Sequence, residues 1–269
     1  MLDYDFMRHA FAAATIVALL AGTVGYFLVL RGQTFAGHAL SHVGFTGATG
    51  AVLIGVPPLW GLVVVTVLAG IGMGILGEKL AQRDVAIGMV LAFALGLGLL
   101  FLSFFTAYAS QATTLLFGNV LAVDVRTVWT LLALGLLSLA IMGVIARPLL
   151  FTSLQPDLAE AKGVSLRLYG VLFLAVVALT TAESAQIVGV LLVFALMVGP
   201  AAAAQRLTTS IVAGVAVSAF LALFEAWLGI TLAYYTDWPS SFWIVSLSVA
   251  VYLLSLASTR LSSLSSSRA

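Results

Sequence analysis

Six stretches of this chain run for 20 residues or more without a charged side chain or a histidine: Ala10–Leu30, Val43–Gly77, Val85–Val123, Thr127–Ala146, Ser184–Gln205 and Trp238–Thr259. A bilayer's hydrocarbon layer, about 30 Å thick, needs roughly 20 apolar residues of helix to cross it. No water reaches that layer, so a spanning segment must satisfy its own backbone hydrogen bonds, which for runs of this length means an α-helix. Two runs are too long for one helix. Pro57-Pro58 breaks the first of them, and Ser103 to Gln111 loosens the second. The expected architecture is therefore an all-α polytopic membrane protein with eight or nine transmembrane helices. They lie near residues 10–30, 39–55, 59–77, 85–103, 127–146, 168–182, 187–205, 210–232 and 240–258. Residues 1–260 read as a single transmembrane domain, and the serine-rich residues 261–269 as a disordered tail.

Composition agrees. Charged residues make up 8% of the chain, against about 25% in a soluble domain. The first apolar run is long for a signal peptide and lacks a small-x-small cleavage site, so it reads as a retained span. Without cysteine, neither disulfides nor thiolate metal sites can form. A net charge of +1 with no basic stripe argues against nucleic acid as a partner.

Positive charge sets the orientation. With nine spans and the N-terminus outside, Arg31, Lys79, Arg83, Arg147, Lys162, Arg167, Arg206, Arg260 and Arg268 are cytoplasmic, and only Arg8 and Arg126 are not. The same arrangement places Trp60, Trp129, Trp238 and Trp243 at outer helix ends, as an interfacial aromatic belt requires.

Ionisable groups inside a bilayer are costly and mark polar pathways. His38 and His42 are spaced i, i+4, which puts both rings on one helix face. Two carboxylates also interrupt apolar segments. Glu183 falls at an expected outer turn, where a surface role is the simpler reading. Glu225 lies deeper, where a functional role and burial beside a polar neighbour are both open. An intramembrane zinc protease would need Glu beside the first histidine as its general base, and position 39 is Ala. Gly72–Lys79 imitates a phosphate loop, but Glu78 occupies the lysine's place and no Ser or Thr follows Lys79. The chain thus reads as a transport subunit and not an enzyme, with any ATP hydrolysed by another polypeptide. A proton-coupled secondary transporter using Glu183 or Glu225 remains the alternative.

Two stretches are not simple spans. Gln111–Asp124 reads as a short outer helix, a re-entrant piece or an interfacial loop. Gln155–Arg167 is the longest polar loop. Pro156 suits a helix start, Asp157 and Glu160 its first turn, and Gly163 its end. By itself it is either a solvated connector or a docking helix. Gly37, Ser41, Gly44, Gly47, Ala48 and Ala51 give the second span a surface of small residues for close helix packing.

Four motifs, in order, resemble the permeases of ATP-binding-cassette importers for zinc, manganese and related divalent metals, the ABC-3 family. They are Leu40-Ser41-His42 with Gly47; Leu116-Phe117-Gly118-Asn119-Val120-Leu121-Ala122-Val123; Asp157-Leu158-Ala159 through Gly163-Val164; and Val188-Gly189-Val190-Leu191-Leu192 through Gly199-Pro200-Ala201-Ala202-Ala203. The resemblance covers roughly Val29 to Pro239. It implies a type II importer-like, homodimeric permease in the cell membrane, surrounded by lipid. Its partners would be a cytoplasmic ATPase dimer and an extracytoplasmic metal-binding protein. Pro156, Asp157, Ala159, Glu160 and Gly163 then belong to a coupling helix seated on the ATPase. His38 and His42 become metal contacts for a transported ion, with water, the symmetry-related histidines or Glu225 as the remaining ligands, and no cofactor is held permanently. Many family members carry Asp where this chain has His38. Imidazole suits Zn²⁺ and carboxylate suits Mn²⁺, so zinc is the expected cargo, with manganese or iron behind it.

Overall fold

The computed structural model describes residues 1, 4–76, 80–105, 116, 118, 120–190 and 192–266. Its helices are α1 (Asp5–Leu30), α2 (Thr34–Leu53), α3 (Pro58–Leu76), α4 (Leu80–Leu102), α5 (Val125–Leu154), α6 (Pro156–Ala161), α7 (Leu166–Val188), α8 (Val193–Leu207), α9 (Ile211–Thr236) and α10 (Ser240–Ser266), with a 3₁₀ turn at Val120–Ala122. Eight of the nine expected spans fall mainly on a single helix each, whereas the one expected at 187–205 takes in the end of α7 and the short α8. Six of these helices (α1, α3, α5, α7, α9 and α10) are long and apolar enough to cross a membrane. The other three fall short: α4 through its brief apolar part Ile87–Leu102, α8 through its 15 residues, and α2 because histidine, glycine and threonine dilute it. The span count read from sequence therefore stands at six by these criteria. α10 also continues to Ser266, past the boundary drawn at residue 260. No glycine or proline follows Pro239 to stop it.

Helix ends follow local chemistry. Asp124 caps α5 by accepting from the Thr127 amide at 2.8 Å, and Ser165 caps α7 through the Leu168 amide at 3.2 Å. Hydrogen bonding from Thr127, its hydroxyl first and its amide second, holds the Asp124 carboxyl below the usual carboxylate range. α6 starts on Pro156 with Asp157 in its first turn, and Gly163 turns the chain at φ +77°. Of the outer segment before α5, Val120 is buried in a turn packed on α1 and α7. For the rest of the expected Gln111–Asp124 segment, whether helix, re-entrant piece or loop, residues 111–115, 117 and 119 lie outside the described residues.

α1 and α7 form the centre, buried along most of their length, while α3, α5, α9 and α10 turn wide apolar faces outward as lipid requires. α1 packs on α5, α7, α8 and α9; α7 packs on α1, α2, α3 and α5; α2 fits between α3 and α4. Small residues allow these approaches. A Cβ at Gly22 would come within 2.6 Å of the Ala219 Cα, and one at Gly70 within 2.7 Å of the Leu174 carbonyl oxygen. Polar side chains in the contacts bond to backbone carbonyls: Ser218 donates to Gly22 at 2.6 Å, the Gln205 amide to Tyr26 at 3.0 Å, and Thr46 to Ala94.

Candidate metal-path site

α2 carries the histidine pair in its first two turns. Its opposite face, including Ala36, Ala39, Leu40 and Val43, is buried, and a Cβ at Gly37 would lie 2.7 Å from Leu28 Cδ2. α2 is therefore seated against α1 on one side, while His38 and His42 stay half-buried on another. Their rings stand 4.7 Å apart, edge to face, and His38 also meets Phe194 in the first turn of α8 at 5.4 Å. Ser41 donates to the His38 carbonyl at 2.7 Å, so its hydroxyl is held by the helix itself. The Nδ1 of His42 is buried and has no hydrogen-bond partner among the described residues.

This geometry admits one ion. With Zn–N near 2.0–2.1 Å, ring centroids sit about 3.2 Å from the metal, and two imidazoles at 90–110° then lie about 4.5–5.2 Å apart. The observed 4.7 Å falls inside that range. An uncommitted buried nitrogen on His42 is the donor such a contact needs. Two ligands do not complete a four-coordinate site, and no group of three His, Asp, Glu or Cys side chains gathers among the described residues.

The third expected ligand is not brought to the pair. Glu225 lies on α9, which packs on α1, α8 and α10, whereas α2 packs on α3, α4, α7 and α8. Its carboxylate is fully buried beside the Ser248 hydroxyl, which donates to the Ala195 carbonyl at 3.0 Å. The spacing of α9 along the chain could not reveal which helices it would face.

Glu183 is also corrected. It is not in a surface turn: α7 runs on to Val188, and Glu183 is fully buried within it. Oε1 accepts from Ser138 of α5 at 3.4 Å, and Oε2, beside the bare Gly135, has no partner. The helix continues through Thr180–Gln186 because this polar run contains no proline or glycine.

Just beyond the end of α5, α6 offers a short exposed helix. Ala159 is buried against the bundle, while Pro156, Asp157, Glu160 and Gly163 face outward together with Leu158. Exposed Leu154 and Leu158 beside two carboxylates form a mixed apolar and acidic surface. Phe194 was invisible to sequence reasoning. Its only signal was its place just after the Val188–Leu192 motif.

A family model described as "ABC 3 transport family" matches residues 3–259. The manganese transport system membrane protein MntC of Halalkalibacterium halodurans is 30% identical over 255 residues, covering 94% of this chain and 87% of that protein. The manganese import system permease protein ScaB of Streptococcus gordonii is 30% identical over 257 residues, covering 94% and 91%. Among solved structures, PsaBC from Streptococcus pneumoniae in complex with Fab aligns with a TM-score of 0.84 at 28% identity, covering 94% of this chain and 91% of that one.

Proposed function

The chain belongs to the ABC 3 transport family, and on that premise we propose that it is the membrane permease of an ATP-driven importer of divalent metal. It is a multi-pass membrane protein, and transport, not catalysis, is its work. The observation that carries the metal reading is the histidine pair: two rings 4.7 Å apart on the half-buried face of α2, with one nitrogen uncommitted. Two ligands per chain make an incomplete site. A conduction path needs one, because an ion held by a full set would not leave. A second copy of the chain, related by a two-fold axis, would add two more imidazoles and allow a transient tetrahedral site.

Zinc is the proposed cargo, since both protein ligands are imidazoles. Manganese is the second reading, and what favours it is that both relatives described above carry manganese in their names. In this proposal an extracytoplasmic binding protein delivers the metal at the outer face, and ATPase subunits seat on α6. Cells depending on this transporter should lose growth in zinc-poor medium when His38→Ala and His42→Ala are combined, while the variant remains in the membrane at normal level. Normal ⁶⁵Zn uptake by a stable double variant would remove the pair from the path.

A further inference from the structure

We propose that Arg31 is the strut through which movement of α6 reaches the histidine-bearing helix. The proposal rests on the reading of α6 as the ATPase seat. Arg31 ends α1, and only Gly32 and Gln33 separate it from α2. The turn is closed by the Arg31, Gly32 and Gln33 amides, which donate to the Phe27, Val29 and Leu28 carbonyls at 3.0 Å each. With Gly37 pressed on Leu28, the end of α1 and the first turns of α2 form one stiff corner. His38 is seven residues beyond Arg31 and only about 6 Å of helix rise from Thr34, where α2 begins.

The guanidinium leaves this corner and grips another element. Nη1 donates to the Ser153 hydroxyl at 2.5 Å and lies 3.4 Å from the Leu149 carbonyl of α5, and the plane sits over the Phe173 ring of α7 at 5.5 Å. Ser153 in turn donates to the Leu149 carbonyl, so Arg31 meets a preformed pair of acceptors. The gripped segment is distinctive. α5 has 30 residues, about 45 Å, so it outruns the hydrocarbon layer. Pro148 lies just before Leu149 and supplies no amide to the Val144 carbonyl, which weakens the helix there. Leu149–Leu154 is thus an arm with a soft joint above it and α6 directly below it, since only Gln155 intervenes. A push on α6 moves this arm, and the arm's charged attachment outside α5 is the corner that carries α2. One guanidinium joins three elements by two hydrogen bonds and a ring contact, which lysine's single ammonium cannot reproduce.

The test uses the complete transporter in proteoliposomes, with its ATPase and metal-loaded binding protein, measuring ⁶⁵Zn moved and ATP hydrolysed together. Arg31→Ala should leave assembly and basal ATPase activity at the parent level and lower metal moved per ATP by about tenfold. Arg31→Lys should fall between the two. Ser153→Ala should lower the ratio less, and should add nothing in the Arg31→Ala background, because both remove one connection. A merely structural arginine would change yield and melting without changing the ratio. If Arg31→Ala does not assemble, Ser153→Ala and Phe173→Leu carry the test. An unchanged metal-to-ATP ratio, or independent adding of the Arg31 and Ser153 effects, overturns the strut. A parallel pull-down separates this failure from that of its premise: if disruption of Pro156–Val164 leaves the ATPase bound, the seat itself is wrong and the strut falls with it.

Discussion

Replacing Gly47 by alanine should unseat α2, although one methyl is the smallest change a helix can be offered. A Cβ at Gly47 would stand 2.8 Å from the Gly61 carbonyl carbon and 2.9 Å from Val65 Cβ, with the carbonyl oxygen nearer still. Ordinary contacts begin near 3.4 Å, so α2 and α3 must part by at least about 0.6 Å, and none of these three neighbours is the loose end of a side chain. Overpacking of this kind costs about 1–3 kcal/mol. The better helix propensity of alanine returns at most about 1 kcal/mol, which leaves a net loss on the order of 1–2 kcal/mol. Gly143 of α5 is the control, since a Cβ there meets nothing within 4 Å. Gly143→Ala should be neutral or gain up to about 1 kcal/mol. In detergent, a thermal melt should separate the two variants by roughly 4–8 °C, taking about 2–4 °C per kcal/mol for a chain of this size. Because His42 lies five residues from Gly47 on the same helix, Gly47→Ala should also depress metal uptake. Equal melting temperatures would refute the claim that bare backbone contact holds α2 in place.

Two further outcomes follow from the site. His38→Asp should move competition in uptake assays towards manganese by about tenfold or more, since it exchanges imidazole for carboxylate at one of two contacts; an unchanged zinc-to-manganese ratio would show that this position does not select. Glu183→Gln should fold and transport like the parent, because the amide still accepts from Ser138, whereas Glu183→Ala should lose about 2 kcal/mol or more through a cavity and a stranded hydroxyl. If Glu183→Gln folds normally and uptake disappears, the carboxyl itself is needed, and proton coupling becomes the better account.

The six long apolar helices are legible because hydropathy over 20 residues is a summed signal that no single neighbour can reverse. What failed was local. Glu183 with its flanking threonines, serine and glutamine looked like a turn, since a charge was taken to mean water. In the fold α5 brings Ser138 and the bare backbone of Gly135 to that carboxylate, and nothing in the order of residues says that α5 and α7 are neighbours. Glu225 fails for the converse reason: two rare groups in an apolar chain invite pairing, but α1, α8 and α10 are the helices that α9 meets. The i, i+4 spacing of His38 and His42 was sufficient for their shared face, because helix geometry alone decides it. α6 was equally legible, since proline, acidic first turn and glycine are chemistry of the chain itself.

The close contacts divide the helices into two groups. α2 is held to α3 through Gly47 and Gly61 and to α4 through Gly98 and Thr46, and α3 to α7 through Gly70 and Gly74. α1 is held to α9 through Gly22 and Gly214, and to α8 through Gly25, and α10 joins α8 and α9 at Gly199 and Gly229. Where backbones meet with no side chain between them, there is little slack, so each group resists bending more than it resists displacement as a unit. His38 belongs to the first group and Phe194, its ring neighbour, to the second. The same turn of α2 is also tied to α1, where Gly37 presses on Leu28, so the imidazole pair stands where the two sets of close contacts meet.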